Sequence, residues 1–323
     1  MVTLDTVQQS NALLVSLPQA QGLVAVFIGA TSGIGQSALE HFVKSTSASR
    51  IYSTARPQTL ASHNELLKRL NQSSPTGTYT ALIADASLVS DIDRAVDTIL
   101  ENETKVDLLF MSPGFFAFEG RVDTKEGLDP SMSTRYYSRL RAVQRLLPLL
   151  NAAPCPRIVS VLAAGEESPL NEADLDLRDP ENWSMWNSSR HACTMGTLAL
   201  EHIARLNPEL SIVHAHPGAV ATPGLARSNS FGLNPPNPMT QDEAGQRAVF
   251  NSTSDRYAVQ AGFVPVPEGL NVLQKSGGGI FLVGPLGEIK ESEAVLGPMR
   301  ERGLGETVWN FTLEIFSACA AKA

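Results

Sequence analysis

The chain has 323 residues, of which 43% are hydrophobic and 18% are charged, and 33 acidic against 25 basic side chains give a net charge of −8. This hydrophobic content excludes a wholly disordered chain and is sufficient for a substantial core. The acidic balance argues against a general surface for nucleic acid or for an anionic membrane. We therefore expect neither of those partners, and a small molecule as the natural ligand.

Three cysteines, Cys155, Cys193 and Cys319, are widely spaced and form no CxxC pair or His/Cys cluster. They are interpreted as buried or free thiols in a reducing compartment, and no metal site is predicted. The N-terminal stretch lacks a basic segment followed by a sustained apolar core, which argues against a signal peptide. No apolar run reaches the ~20 residues of a membrane span. The expected location is the cytoplasm.

Apolar runs rich in β-branched residues alternate with helical patterns, which is typical of parallel strands joined by crossover helices. The predicted strands cover residues 23–30, 50–55, 78–85, 105–112, 157–164, 210–217 and 279–285. The helical patterns include residues 36–44, 64–70, 91–102, 133–150, 190–204, 242–250 and 307–320. The expected fold class is α/β, a Rossmann-type doubly wound parallel sheet with helices on both faces.

The strongest motif is GATSGIG, which follows the first strand and opens the first crossover helix. Glycines in this position allow a tight turn and a close approach of backbone N–H groups to a pyrophosphate, and the helix N-terminus adds positive potential. The motif predicts a dinucleotide-binding loop. Its candidate cofactor-binding residues are Gly29, Thr31, Ser32, Gly33, Ile34 and Gly35.

Two long segments interrupt the strand–helix rhythm: the acidic residues 165–188, and residues 223 to about 278, which are rich in Pro, Gly, Asn and Ser. Long irregular segments in compact domains are more often lids or binding loops than spacers. We predict a single domain in which residues 1–222 are the dinucleotide-binding part, with 1–20 as an N-terminal extension. Residues 223–323 complete the same domain as an enlarged substrate-covering region.

GATSGIG fits the TGxxxGxG pattern of the short-chain dehydrogenase/reductase superfamily, and the resemblance extends over residues 23–222. In that family an acidic residue after the second strand holds the ribose of NAD, whereas this chain has Arg56 in STARP. A cation suits the 2′-phosphate of NADPH, so the resemblance implies NADPH as the cofactor, with a solvated loop arginine as the alternative.

Three further segments resemble the cofactor-binding positions of the family. IADAS places Asp85 and Ala86 where relatives contact the adenine, although a loop or cap acid is the alternative for Asp85. MSPG takes the place of the family's NNAG and retains a tight backbone without the asparagines. HPGAVAT is similar to the PGxxxT segment at the nicotinamide end. The residues carried over are Pro113, Gly114, Pro217, Gly218, Val220 and Thr222.

The catalytic Ser, Tyr and Lys of the family are missing. The Tyr and Lys positions of the YxxxK helix align with His191 and Met195 in HACTM, and counting back from Gly165 puts Leu162 at the serine. Ser160 is an imperfect substitute or a structural strand residue. Since a thioether cannot donate a proton, the usual acid is absent.

The candidate catalytic residues are therefore Arg135, which lies near the family's Asn, its neighbour Tyr136, and His191. Histidine titrates near neutrality, arginine orients an anionic or carbonyl group, and a tyrosine could replace the missing phenol. For the histidine and the tyrosine, an ordinary helix or core residue is the alternative.

Two other groups have simple structural interpretations. His214 and His216 share a strand face but have no third ligand nearby, which favours a packed strand over a metal site. Asp174, Asp176 and Asp179 are interpreted as solvated loop acids, with contact to a cationic substrate as the alternative.

More narrowly, the chain resembles reductases of fungal secondary-metabolite clusters, including reductase/Diels–Alderase types that work without the Tyr/Lys pair. Hydride addition to an iminium neutralises a charge and needs no proton donor at that atom. The first hypothesis is therefore NADPH-dependent reduction of an activated C=N or a conjugated carbonyl. The alternatives are a non-redox cyclase or isomerase and a non-catalytic NADP(H)-binding protein. The C-terminal helix packs on the domain or on a second subunit, so the sequence leaves open whether the chain forms a homo-oligomer.

Overall fold

The computed structural model describes residues 1–260 and 262–322. Within these ranges, seven parallel strands form one sheet in the order β3-β2-β1-β4-β5-β6-β7. They are β1 (Val24–Ile28), β2 (Arg50–Ala55), β3 (Thr78–Ile83), β4 (Leu108–Met111), β5 (Arg157–Val161), β6 (Ser211–Ala215) and β7 (Phe281–Val283). Each lies within the bounds predicted for it. The predicted doubly wound α/β fold is confirmed.

The helices in the described part of the chain cover both faces of this sheet. They are α1 (Leu4–Leu14), α2 (Gly33–Ser45), α3 (Leu60–Ser73), α4 (Val89–Asn102), α5 (Pro130–Met132), α6 (Ser138–Asn151), α7 (Met185–Leu206), α8 (Pro223–Ser230), α9 (Gln241–Thr253), α10 (Glu293–Glu301) and α11 (Leu304–Ala320). None of them has the length and apolarity needed to span a membrane.

The strands are apolar on both faces because each face is covered by helices. In β1, Val24, Val26 and Ile28 pack into one hydrophobic cluster with α4, α6, α7 and α11. The alternate residues Ala25 and Phe27 pack into a second cluster with α1, α2, α3 and α9. The period of two along the strand therefore assigns each side chain to one of two cores.

The predicted helix over residues 133–150 is interrupted, which corrects the sequence prediction. Ser133–Tyr137 form a π-helical turn between the single turn of α5 and the regular helix α6. A π turn holds one residue more than an α turn and is frequent at functional sites. Because of it, side chains before and after the turn follow different helical registers.

The C-terminal region contributes helices to both faces of the sheet. Helix α9 packs so closely on α2 that a Cβ on Gly245 would lie 2.1 Å from Oγ of Ser37, and α1 packs on α9 in turn. Helices α10 and α11 belong to the opposite cluster, where α11 packs on α7. The division of the chain at residue 222 stays a prediction.

Candidate active site

A cavity of about 590 Å³ lies at the carboxyl ends of β1 to β4. The strand order reverses between β1 and β4, and doubly wound sheets bind their ligands at such a switch point. Most of the residues predicted to hold the cofactor line this cavity, namely Gly29, Thr31, Ser32, Gly33, Ile34, Gly35, Arg56, Asp85, Ala86, Pro113, Gly114 and Thr222.

The other three predicted residues lie beside this lining. Pro217 borders a small neighbouring hollow together with Ile34. A Cβ on Gly218 would lie 3.2 Å from Pro285, and Val220 is buried. For these three residues, cofactor contact stays a prediction.

The glycine-rich loop leaves no space for side chains. Gly29 has φ of +88°, in the region that favours glycine. A Cβ on Gly35 would lie 2.3 Å from the carbonyl oxygen of Gly29 and 2.4 Å from Oγ of Ser112. The first turn of α2 is therefore pressed against the end of β1, with its backbone N–H groups close to the cavity. Such a cradle fits a dinucleotide pyrophosphate.

Asp85 lies at the cavity wall in a fixed orientation. Its carboxylate accepts a hydrogen bond from the N–H of Ser87 at 2.9 Å, and its own N–H donates to Asp91 at 2.9 Å. The carboxylate of Asp85 thus caps the turn after β3, which agrees with the alternative that Asp85 is a loop or cap acid. Its position in the lining leaves the predicted adenine contact open.

Two arginines, Arg56 after β2 and Arg227 in α8, line the cavity from different elements. Both are exposed, and neither guanidinium has a hydrogen bond or ion pair with any residue that the structure describes. Two unpaired cations in a cavity of this shape fit a ligand with several phosphate groups. The sequence indicated Arg56 but missed Arg227, because no motif links α8 to the glycine-rich loop.

The α7 residues aligned with the catalytic pair face protein rather than the cavity. Nε2 of His191 accepts a hydrogen bond from the backbone N–H of Asn171 at 3.1 Å. Burial lowers the pKa of His191, which keeps the imidazole neutral. Met195 is fully buried in the core. The ring is buried against the loop after β5 and does not line the cavity, which does not support the predicted role of His191 as a proton donor, and that role stays a prediction.

Tyr136 is also unavailable, which corrects a second catalytic prediction. Its ring is fully buried, and its hydroxyl shares a hydrogen bond with Oγ1 of Thr312 in α11. Burial raises the pKa of this phenol well above its ordinary value. Tyr136 therefore joins the π turn to the C-terminal helix. This agrees with the alternative that Tyr136 is an ordinary core aromatic residue.

The acids of the loop after β5 form bonds within the loop and to neighbouring segments. The buried carboxylate of Asp176 accepts a hydrogen bond from the hydroxyl of Tyr137 at 2.8 Å and pairs with Arg121 and Arg178. Asp174 accepts bonds from two backbone N–H groups and from the side chain of Asn182. The acids thus hold the loop in place, and contact with a cationic substrate is not supported.

The serine candidate on β5 belongs to a buried network around Arg139, a residue that the sequence analysis missed. Nη1 of Arg139 donates to Oγ of Ser160 at 2.8 Å and to the carbonyl of Val161 at 2.9 Å. Its Nη2 donates to the carbonyl of Pro113. Burial, and secondarily the charge of Arg135, lowers the pKa of Arg139 to about 9. Arg139 therefore joins the ends of β4 and β5, and Ser160 has a structural role.

Arg135 is the predicted catalytic residue whose whole side chain lacks a hydrogen bond to any described residue. It is only 6% exposed, yet its guanidinium has no hydrogen bond or ion pair with any described residue, and its Nε is buried without a partner. Its stem passes Gly114 in the cavity wall, with 3.5 Å between its Cγ and a Cβ built there. Burial lowers the pKa of Arg135 to about 10, which leaves the group charged at neutral pH.

Arg135 also borders a group of four aromatic residues, here called the aromatic cluster: Phe116, Phe118, Trp186 and Phe231. The guanidinium carbon lies 4.5 Å from the ring centre of Phe116. Phe116 packs edge-on against Trp186 at 5.6 Å, and Phe118 stacks on Phe231 at 4.1 Å. The cluster thus joins the segment after β4, the start of α7 and the end of α8. Trp186 and Phe231 remain about half exposed.

The two strand histidines do not form a metal site. His214 bonds Oγ1 of Thr197 at 2.9 Å, and its other nitrogen accepts the N–H of Ala163 at 3.4 Å. Across residues 1–260 and 262–322, no group of three or more His, Cys, Asp or Glu is arranged to hold a metal ion.

A second cavity, of about 620 Å³, lies between α7, α10 and α11. Two charged residues of its lining, Arg300 and Glu201, pair with each other. Arg300 donates to both carboxylate oxygens of Glu201 at 2.8 and 2.7 Å. None of the predicted site residues lines it. The candidate active site is therefore the cavity at the glycine-rich loop.

Comparison with known proteins agrees with this location. The family model described as short chain dehydrogenase matches residues 23–231, about two thirds of the chain. The chain belongs to the short-chain dehydrogenase family. The family resemblance predicted from GATSGIG is thus confirmed, and the match includes the glycine-rich loop, β4, α7 and α8.

Fungal oxidoreductases resemble this short-chain dehydrogenase over its whole length. It is 64% identical to the NmrA-like family domain-containing oxidoreductase notO of Aspergillus sp. (strain MF297-2), covering 100% of this chain and 97% of that protein. It is 36% identical to an oxidoreductase of Emericella nidulans, covering 97% of each. A short chain dehydrogenase from Burkholderia cenocepacia J2315, solved in complex with NADP, has the same fold at 19% identity. The TM-score is 0.54, over 72% of this chain and 91% of that one.

Proposed function

We propose that this short-chain dehydrogenase is an NADPH-dependent oxidoreductase that reduces a conjugated carbonyl in a small molecule. NADPH, when bound, supplies hydride. The observation that carries the proposal is the buried, unpaired guanidinium of Arg135 beside Gly114 in the cavity wall. A secondary metabolite as the substrate is in keeping with the resemblance to fungal cluster reductases.

The residues of the cavity fit the proposed cofactor. The side-chain-free cradle at Gly29 and Gly35 suits a pyrophosphate, and Arg56 suits a 2′-phosphate. The oxidoreductase names of the fungal relatives and the NADP complex of the bacterial relative support the same assignment.

Arg135 favours a carbonyl over an iminium, which narrows the first hypothesis. Hydride addition to a conjugated carbonyl places negative charge on its oxygen, and a buried donor with free N–H groups stabilises that charge. An iminium is cationic, and two buried guanidinium groups, Arg135 and Arg139, lie near this wall. Asp129 is the carboxylate that acts on Arg135. The nearby positive charge opposes binding of a cation.

The proton required to complete the reduction comes, in this proposal, from solvent. His191 and Tyr136 do not line the cavity, and the pKa of Arg135 keeps it a charged donor rather than an acid at neutral pH. Arg135 holds the oxygen as an anion paired with the guanidinium until water protonates the enolate. No Tyr/Lys pair is needed for this sequence of steps.

The test uses the full-length protein with benzylideneacetone as the conjugated carbonyl and an N-methyl dihydroisoquinolinium salt as the iminium. We expect NADPH to be consumed with the ketone, and deuterium to move from C4-deuterated NADPH to the β-carbon of the product, detected by mass spectrometry. Arg135→Gln should lower kcat roughly 10²–10³-fold, the usual effect of removing one oxyanion donor. Arg135→Lys should recover part of this loss.

The matched control is Arg69→Gln on the exposed face of α3, which should leave kcat unchanged. Reduction of the iminium but not of the ketone would contradict the role given to Arg135. Conversion of either probe without oxidation of NADPH would favour the cyclase or isomerase alternative. Tight NADPH binding with no turnover of either probe would favour the non-catalytic alternative.

A further inference from the structure

Helix α8 connects the phosphate end of the cavity to the aromatic cluster. Its N-cap Thr222 contacts the glycine-rich loop, with 3.3 Å between Cγ2 and a Cβ built on Gly33. The Thr222 hydroxyl accepts the N–H of Leu225, which fixes the first turn. At the other end the chain leaves α8 at Phe231, whose ring stacks on Phe118 with an interplanar angle of 3°. One short helix therefore touches both halves of the site.

Arg227 lies in the middle of this helix and lines the cavity without a protein partner. It is five residues after Thr222, or about 7–8 Å along the helix axis. Arg227 follows Thr222, which contacts Gly33, on the same helix. Arg56 lines the cavity directly after β2. The two cations thus enter the cavity from different elements.

We propose that Arg227 binds the pyrophosphate of the dinucleotide, and that this contact fixes α8 so that Phe231 closes the substrate pocket against Phe118. The inference rests on the proposed dinucleotide site and adds a residue to it. The stacked arrangement of Phe231 on Phe118 is present in this structure, and the contact of Arg227 with the dinucleotide stabilises it. Arg56 remains the residue that distinguishes NADPH from NADH.

The first experiment measures dissociation constants of NADPH and NADH by nicotinamide fluorescence, with no substrate and no turnover. Loss of one charge-assisted contact weakens binding about 10- to 100-fold. Arg56→Gln should weaken NADPH by this factor and leave NADH nearly unchanged. Arg227→Gln should weaken both nucleotides by the same factor, because the pyrophosphate is common to both. Arg227→Lys should restore part of the affinity.

Each outcome has a distinct meaning. If Arg227→Gln changes neither constant, Arg227 does not contact the dinucleotide and this inference is wrong while the proposed function stands. If it weakens only NADPH, the contact is with the 2′-phosphate and the pyrophosphate assignment is wrong. If the unsubstituted protein binds neither nucleotide, the proposed function fails, and this inference fails with it.

The second experiment tests the link between the cofactor and the aromatic cluster by hydrogen exchange. At saturating NADPH, residues 223–232 of the unsubstituted protein should exchange several-fold more slowly than in the free protein. In Arg227→Gln, saturated with NADPH, residues 29–40 should still be protected while residues 223–232 are not. Equal protection of residues 223–232 in both proteins would show that α8 does not depend on Arg227.

Discussion

Arg139 shows how a charged side chain is kept at the end of a sheet without a carboxylate beside it. Its guanidinium is fully buried and donates to backbone carbonyls of the segments after β4 and β5 and to Oγ of Ser160. Parallel strands leave carbonyl groups unpaired where the ladder ends, and these groups need donors when they are buried. Arg139 supplies the donors for several of them at once.

We expect Arg139→Met to destabilise the fold by about 3 kcal/mol, because several buried acceptors lose their donor while most of the volume is retained. The free energy of unfolding in urea measures this effect. Arg69→Met, at an exposed position of α3, is the control and should change stability by less than about 0.5 kcal/mol. Equal effects of the two substitutions would show that the Arg139 network contributes little.

The sequence identified Arg135 but not Arg139, although the two are one helical turn apart. Counting from a family helix gave the approximate position of the catalytic asparagine, but it assumed a regular α-helical register. The π turn at Ser133–Tyr137 changes that register. Nothing in the residue pattern STRYYSR indicates where an extra residue enters the helix, so the roles of these arginines needed the structure.

At the scale of elements, α11 explains why an aromatic pair occurs in the π turn. The helix packs on α7 and α4, and its Thr312 bonds the hydroxyl of Tyr136 inside the core. A tyrosine rather than a phenylalanine suits this position because a buried hydroxyl has a partner. The sequence pattern predicted α11 correctly but could not predict this contact, since the two residues are 176 positions apart.

We expect Thr312→Val to cost about 2 kcal/mol of stability, since it leaves the Tyr136 hydroxyl buried without a partner. Adding Tyr136→Phe should cost less than the sum of the two single substitutions, because the unpaired group is then removed. Urea unfolding of the four proteins gives the coupling energy. Tyr136→Phe alone should keep kcat with the ketone probe, and a fall of tenfold or more would restore Tyr136 as a catalytic candidate.

For the molecule as a whole, buried histidines predict loss of stability in mild acid. His214 is fully buried 4.0 Å from Glu167, and burial lowers its pKa from 6.5 to about 4 despite the attraction of that carboxylate. Between these values the unfolded chain binds a proton that the folded chain does not. The neutral His214 ring therefore costs the folded state nothing near neutral pH. As the pH drops below 6.5 the folded state loses stability relative to the unfolded chain, and this loss is complete near pH 4.

We expect His214→Gln to lose less stability than the unsubstituted protein between pH 7 and pH 4, because burial lowers the pKa of His214 in the folded state. Unfolding in guanidinium at several pH values measures it, and the comparison at pH 7 gives the cost of the substitution itself. Identical pH profiles would contradict the prediction, since the other titrating groups are common to both proteins.

The sequence was sufficient for the overall architecture but not for the site. Strand periodicity and the glycine-rich loop depend on local chemistry, so all seven strands and most of the cavity lining followed from them. The roles of His191 and Tyr136 depend on loops and helices distant in sequence, such as Asn171 and Thr312. Family motifs describe the positions that relatives share, and here the substituted positions decide the chemistry.

The π turn at Ser133–Tyr137 also bears on how such a site changes during evolution. Deleting one residue there would convert the π turn into a regular turn and rotate the preceding segment by about 100° relative to α6. Arg135 would then leave the wall at Gly114, while the core packing of α6 stayed in place. A single codon lost or gained at this position would exchange the side chain that packs beside Gly114 without rebuilding the domain.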